Sequence, residues 1–144
     1  MTRTILAVIL GYAAMFVIVF VTLTASYFAL GMEKTFRPGS FDVTPLWVLV
    51  MMVFSFVAAI VGGRVCRMIS QKRLALSLLV VLILVLGLVS AVPALYAVET
   101  NTVRSGDISN IQAMMNAKEP KWVAAIMPVI GIIGVVIGGR AKQK

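Results

Sequence analysis

The residue best placed to do chemistry is Cys66, which stands between Arg64 and Arg67 in the run Gly62-Gly63-Arg64-Val65-Cys66-Arg67. Neighbouring guanidinium groups favour a thiolate, the reactive form of the side chain. Covalent catalysis also needs a base to activate the nucleophile, and redox chemistry needs a resolving thiol. The chain has one cysteine and no histidine, so the commonest base and the second thiol are both missing. Cys66 therefore reads as an incidental thiol, and no catalytic residue is assigned. A metal site fails in the same way. There is no histidine, no carboxylate lies inside an apolar stretch, and the nine methionines show no ligand spacing. No phosphate-binding loop is present. The sequence predicts neither an enzyme nor a bound cofactor.

Polar side chains inside the apolar stretches are few: Tyr12, Thr22, Thr24, Ser26, Tyr27, Ser55, Ser77, Ser90 and Tyr96. Ion-coupled transport usually places a carboxylate, lysine or histidine within the membrane. None is found there, which argues against a proton-coupled pump.

The elements that carry these residues are set by composition. Hydrophobic residues make up 61% of the 144 and charged residues only 12%. A soluble domain holds roughly twice that charged fraction, and so short a chain has too little interior to hide the excess. Four uncharged apolar segments stand out, over 5–30, 46–63, 74–98 and 122–139. Each falls near the 17–25 residues that a spanning helix needs. The first is much longer than the apolar core of a secretory signal, so a retained anchor is expected. The fold expected is an all-α membrane protein, a bundle of four transmembrane helices.

Charge supplies an orientation. The amino terminus, the polar break at 62–73 and the carboxyl tail hold Arg3, Arg64, Arg67, Lys72, Arg73, Arg140, Lys142 and Lys144, with no acid. The other two loops hold Lys34, Arg37, Arg104, Lys118 and Lys121 against Glu33, Asp42, Glu99, Asp107 and Glu119. All of the net +8 charge thus falls on one side. Basic flanks stay cytoplasmic, so both termini and the central loop are expected there, most simply in a bacterial inner membrane. The same bases are candidates for contact with lipid headgroups. Nucleic acid is not expected as a partner, because the charge follows membrane topology.

The first outer loop, 31–44, carries Phe36 and Phe41 around Pro38-Gly39, a turn with aromatic anchors at headgroup depth. Thr44 and Pro45 have the chemistry of a helix cap and first helical position. In the second outer loop, Ile108, Ile111, Met114 and Met115 share one helical face, which predicts a short amphipathic helix over 107–117.

The halves resemble one another. Pro45-Leu46-Trp47 and Pro120-Lys121-Trp122 open the short spans 75 positions apart, and Gly62-Gly63-Arg64 and Gly138-Gly139-Arg140 close them 76 positions apart. Two tandem parallel two-span repeats are expected, residues 1–72 and 73–144, related by an axis along the membrane normal. The paired glycines are expected as left-handed helix caps, with Arg64 and Arg140 near the negative helix ends.

Small residues recur at one-turn spacing: Gly11, Ala58 with Gly62, Ala59 with Gly63, Gly87 with Ala91, and Gly131, Gly134 and Gly138. Such faces let backbones approach closely, either within the bundle or against a partner. Pro93 and Pro128 can kink their spans. The functional expectation is a non-catalytic accessory, assembly or interaction subunit. It would use these faces on a membrane-protein partner or a second copy. The alternative is a small oligomeric channel or transporter for an ion or uncharged solute.

Overall fold

The computed structural model describes residues 1–96 and 116–140. Its regular elements are all helical: α1 (Thr2–Thr35), α2 (Pro45–Ile69), α3 (Arg73–Tyr96) and α4 (Lys121–Arg140). Each is long and apolar enough to cross a membrane, the architecture of a multi-pass membrane protein. At 1.5 Å per residue the 20 residues of α4 reach about 30 Å, one hydrocarbon thickness, whereas the 34 residues of α1 reach well beyond it. Among the described residues there are no strands, only two isolated bridges.

Local chemistry explains the helix ends. Gly31 takes φ 74° and breaks α1 one turn before its end, a conformation open to glycine because it lacks a Cβ. The Thr44 hydroxyl accepts from the Trp47 amide at 3.3 Å while donating to the Lys34 carbonyl, and Pro45 opens α2. One threonine therefore ties the start of α2 to the end of α1.

The glycine-cap expectation is not met. Gly62 and Gly63 lie inside α2, which runs on to Ile69 and is capped by Ser70, and Gly138 and Gly139 lie inside α4. Among the described residues only Gly31 and Gly39 have positive φ. The break at 62–73 is thus mostly helix, with a three-residue turn, Ser70-Gln71-Lys72, joining α2 to α3.

Around the bundle the order is α1, α2, α4, α3. Close packing comes from glycines. A Cβ on Gly62 would lie 2.8 Å from the Gly11 carbonyl oxygen, one on Gly63 2.3 Å from the Val135 oxygen, and one on Gly138 2.0 Å from the Ile60 oxygen. These are backbone atoms, so α1, α2 and α4 touch main chain to main chain. Two core clusters result. Ala7, Ala59, Cys66, Ala75, Leu79, Ile83 and Val135 fill one end. Tyr27, Phe36, Val43, Trp47, Val48, Met51 and Val123 fill the other.

The second cluster lies beneath a cap made by the first loop. Arg37 N–H donates to the Asp42 carbonyl, and Thr44 N–H donates to the Thr35 carbonyl, both at 2.9 Å. The segment after the second loop joins this cap. Val43 N–H donates to the Lys118 carbonyl, and Lys118 N–H donates to the Phe41 carbonyl. Phe36 and Phe41 are therefore buried, their rings covered by protein rather than facing lipid, because the cap folds them over the bundle. Of the amphipathic helix expected over 107–117, residues 107–115 lie outside the described residues, and Asn116 and Ala117 are not helical.

Candidate functional site

Cys66 is fully buried, with its Cβ against Gly11. Gly62 and Gly63 draw α1 and α4 over this part of α2, so the thiol between two arginines faces protein rather than solvent. No cluster of three metal-ligating side chains exists among the described residues.

The small-residue faces lie mostly between the chain's own helices. Ala58 and Ala59 have no exposed surface. Gly134 sits on Ala59, Gly138 on Ile60 and Gly11 on Gly62 and Cys66. Gly87 meets the Pro128 ring, and Gly131 meets Ile83.

Gly87, Ala91 and Gly131 share a second setting. They line a cleft of about 410 Å³ between α1, α3 and α4, with Ser55 of α2 at its back. Gly11 of α1 meets Leu79 of α3, and Tyr12 and Ile83, further along the same two helices, line the cleft. Tyr12, Met15, Phe16 and Val19 form the α1 wall, with Pro128 and Met127 on α4. The surface is mainly apolar, with Tyr12, Ser55 and Ser90 as isolated hydroxyls.

Glu119 stands at the rim of this cleft, just before α4. It is exposed overall, but the apolar wall behind the carboxyl pushes its pKa up from the ordinary carboxylate value. Composition placed Glu119 in a polar loop. Its position over the cleft depends on the Lys118 pairing with residues 41 and 43, a long-range contact with no periodic signature. The raised pKa has a definite sign. The folded state favours the protonated acid, so this contribution is complete below the unfolded pKa and is lost as pH rises through the folded one. Glu119→Gln is expected to flatten thermal stability against pH just above the ordinary carboxylate range. A profile identical to the parent's in detergent melts would refute the assignment.

At the other end, Arg67, Arg73 and Arg140 line a cavity of about 950 Å³ with Gln71, Leu76, Ser77, Val80, Val81, Val136 and Gly139. Arg67 donates from Nη1 to the Gln71 carbonyl. Arg64 and Lys72 are exposed and lie outside that lining. Lys142 and Lys144 lie outside the described residues.

The two tryptophans have different settings. Trp47 is buried edge-on to Tyr27, whereas Trp122 is half exposed. The class defined by fold and site is a multi-pass α-helical membrane protein with a lateral apolar cleft. No protein-family model, curated protein or solved structure matches the chain.

Proposed function

We propose that the chain is a non-catalytic accessory or assembly subunit, and that the cleft between α1 and α3 receives an apolar span of a partner membrane protein. The observation carrying this reading is the cleft itself. Most small residues are spent on contacts within the bundle, but Gly87, Ser90 and Ala91 also line a recess bordered by α1 and α3. Small and hydroxyl side chains are the surface on which a second helix packs closely in lipid.

In this reading the bundle is two tandem parallel two-span repeats, residues 1–72 and 73–144. The α1–α2 and α3–α4 hairpins pair through α2 and α4. Both termini and the basic end face the cytoplasm of a bacterial inner membrane, on the strength of the charge asymmetry. The divergence of Trp47 and Trp122 then reflects two different outer loops laid on one plan.

The test is extraction in mild detergent. A foreign membrane protein should co-purify with the parent in fixed ratio, and Ser90→Trp, which fills the cleft from an exposed position, should release it while leaving the bundle folded. Retention of the same partner by Ser90→Trp would refute the cleft as its seat.

A second reading is a small oligomeric channel or transporter for an ion or uncharged solute. It is favoured by Glu119 at the cleft rim and by Pro128 in its wall. It predicts a self-oligomer with a water-accessible path past Tyr12, Ser55 and Ser90, and no foreign partner.

A further inference from the structure

We propose that the cavity at the basic end binds the phosphate of an anionic phospholipid, with Arg67, Arg73 and Arg140 around the headgroup and the α3–α4 seam holding the start of an acyl chain. The three arginines come from three helices: the last turn of α2, the first residue of α3 and the last residue of α4. No acid is among the described residues that line the cavity, so its lining carries an excess of positive charge. A guanidinium presents several donors in one plane and suits phosphate oxygens. Arg67 spends one donor on the Gln71 carbonyl, which fixes its direction and leaves the others available.

The walls select the source of the phosphate. Val80 and Val81 lie seven and eight residues past Arg73 on α3, which is about 10–12 Å along the helix axis. With Leu76, and with Val136 one turn before Arg140, they give the cavity apolar walls running from the arginines into the span. A free phosphate has no use for that depth, whereas a phospholipid has both parts. Anionic headgroups are also what the leaflet beside a basic protein end offers. This site is separate from the cleft proposed for a partner span, since the two share no lining residue.

The test uses the full chain purified in a zwitterionic detergent and titrated with short-chain phosphatidylglycerol, phosphatidylcholine and inorganic phosphate, with bound ligand counted by native mass spectrometry. The parent should prefer phosphatidylglycerol by about a hundredfold, on the order of fivefold per arginine, and inorganic phosphate should bind far more weakly than the lipid. Combined Arg67→Gln, Arg73→Gln and Arg140→Gln should abolish the preference. Combined Arg3→Gln, Arg64→Gln and Lys72→Gln removes equal charge outside the cavity and should preserve it. Val81→Trp keeps every charge, narrows the apolar wall at an exposed position, and should weaken the lipid without weakening inorganic phosphate. Equal loss in both charge-removal variants would make the binding a diffuse surface effect and overturn the site. Inorganic phosphate binding as tightly as the lipid would overturn the phospholipid assignment.

Discussion

Gly138→Ala is expected to lower the melting temperature by about 10 °C or to prevent folding outright, although it adds a single methyl group. That methyl would lie 2.0 Å from the Ile60 carbonyl oxygen and 2.8 Å from the carbon that carries it. The obstacle is backbone in the middle of α2, so no rotamer change relieves it. The helices must separate, and α2 then loses its contacts with Gly134 and Val135 as well. Overpacking a close contact typically costs about 1–3 kcal/mol, and more where the backbone must move. In a chain of this size each kcal/mol is roughly 2–4 °C. Gly63→Ala should behave in the same way, because its Cβ would lie 2.3 Å from the Val135 oxygen. Gly131→Ala is the control. Its nearest obstacle is a side-chain methyl rather than backbone, the Ile83 Cγ2 at 3.1 Å, which has to give by only a few tenths of an ångström, and the expected shift is smaller. Thermal melts in detergent followed by circular dichroism decide the matter. Equal tolerance of all three substitutions would contradict main-chain contact between α2 and α4.

Trp47→Ala should be comparably severe, and Trp122→Ala nearly silent. Trp47 is 6% exposed, while Trp122 is 52% exposed on the bundle surface. Trp47 meets Tyr27 edge-on with ring centroids 6.1 Å apart, and Tyr27 meets Phe36 at 6.3 Å. Removing the indole leaves a cavity beneath the loop cap, and such truncations cost about 3–5 kcal/mol. The loss should also loosen the cap, since Phe36, Val43 and Trp47 belong to one cluster. Melts of the two alanine variants, with the emission of the remaining tryptophan recorded in each, separate the roles. A larger effect at Trp122 than at Trp47 would overturn the packing described.

The contrast between these residues shows what the sequence carries and what it does not. The four helices were legible because a bilayer imposes length and apolarity on each segment, and 46–63 or 122–139 satisfy both without reference to the rest of the chain. The Thr44 and Pro45 cap was legible because it involves neighbouring residues. Gly62 and Gly63 carry two readings in the sequence. A glycine pair followed by arginine reads as a helix end, whereas Ala58 with Gly62 and Ala59 with Gly63 read as faces for close packing. The structure discards the first, because both glycines lie inside α2, where a Cβ on either would meet backbone of α1 or α4. Phe36 and Phe41 read as aromatic anchors near a span end, a pattern that leaves open whether the rings face lipid or protein. The hydrogen bonds of Val43 and Lys118 close a cap in which both rings are buried. Glu119 gave no signal for a similar reason. A carboxylate in a loop becomes notable only when the fold sets it over a cleft.

Cys66 bears on the choice of a topology experiment. The thiol is fully buried, so its resistance to a reagent says nothing about the side of the membrane. Engineered cysteines at exposed positions avoid this. Gln71 lies in the turn between α2 and α3, and Arg37 lies in the cap at the opposite end. The central claim, that four crossings leave the surplus positive charge in the cytoplasm, is tested most directly by treating intact cells with a membrane-impermeant thiol reagent. Arg37→Cys should be labelled at once, and Gln71→Cys only after the cells are broken open. Immediate labelling of Gln71→Cys, with Arg37→Cys protected, would contradict the account.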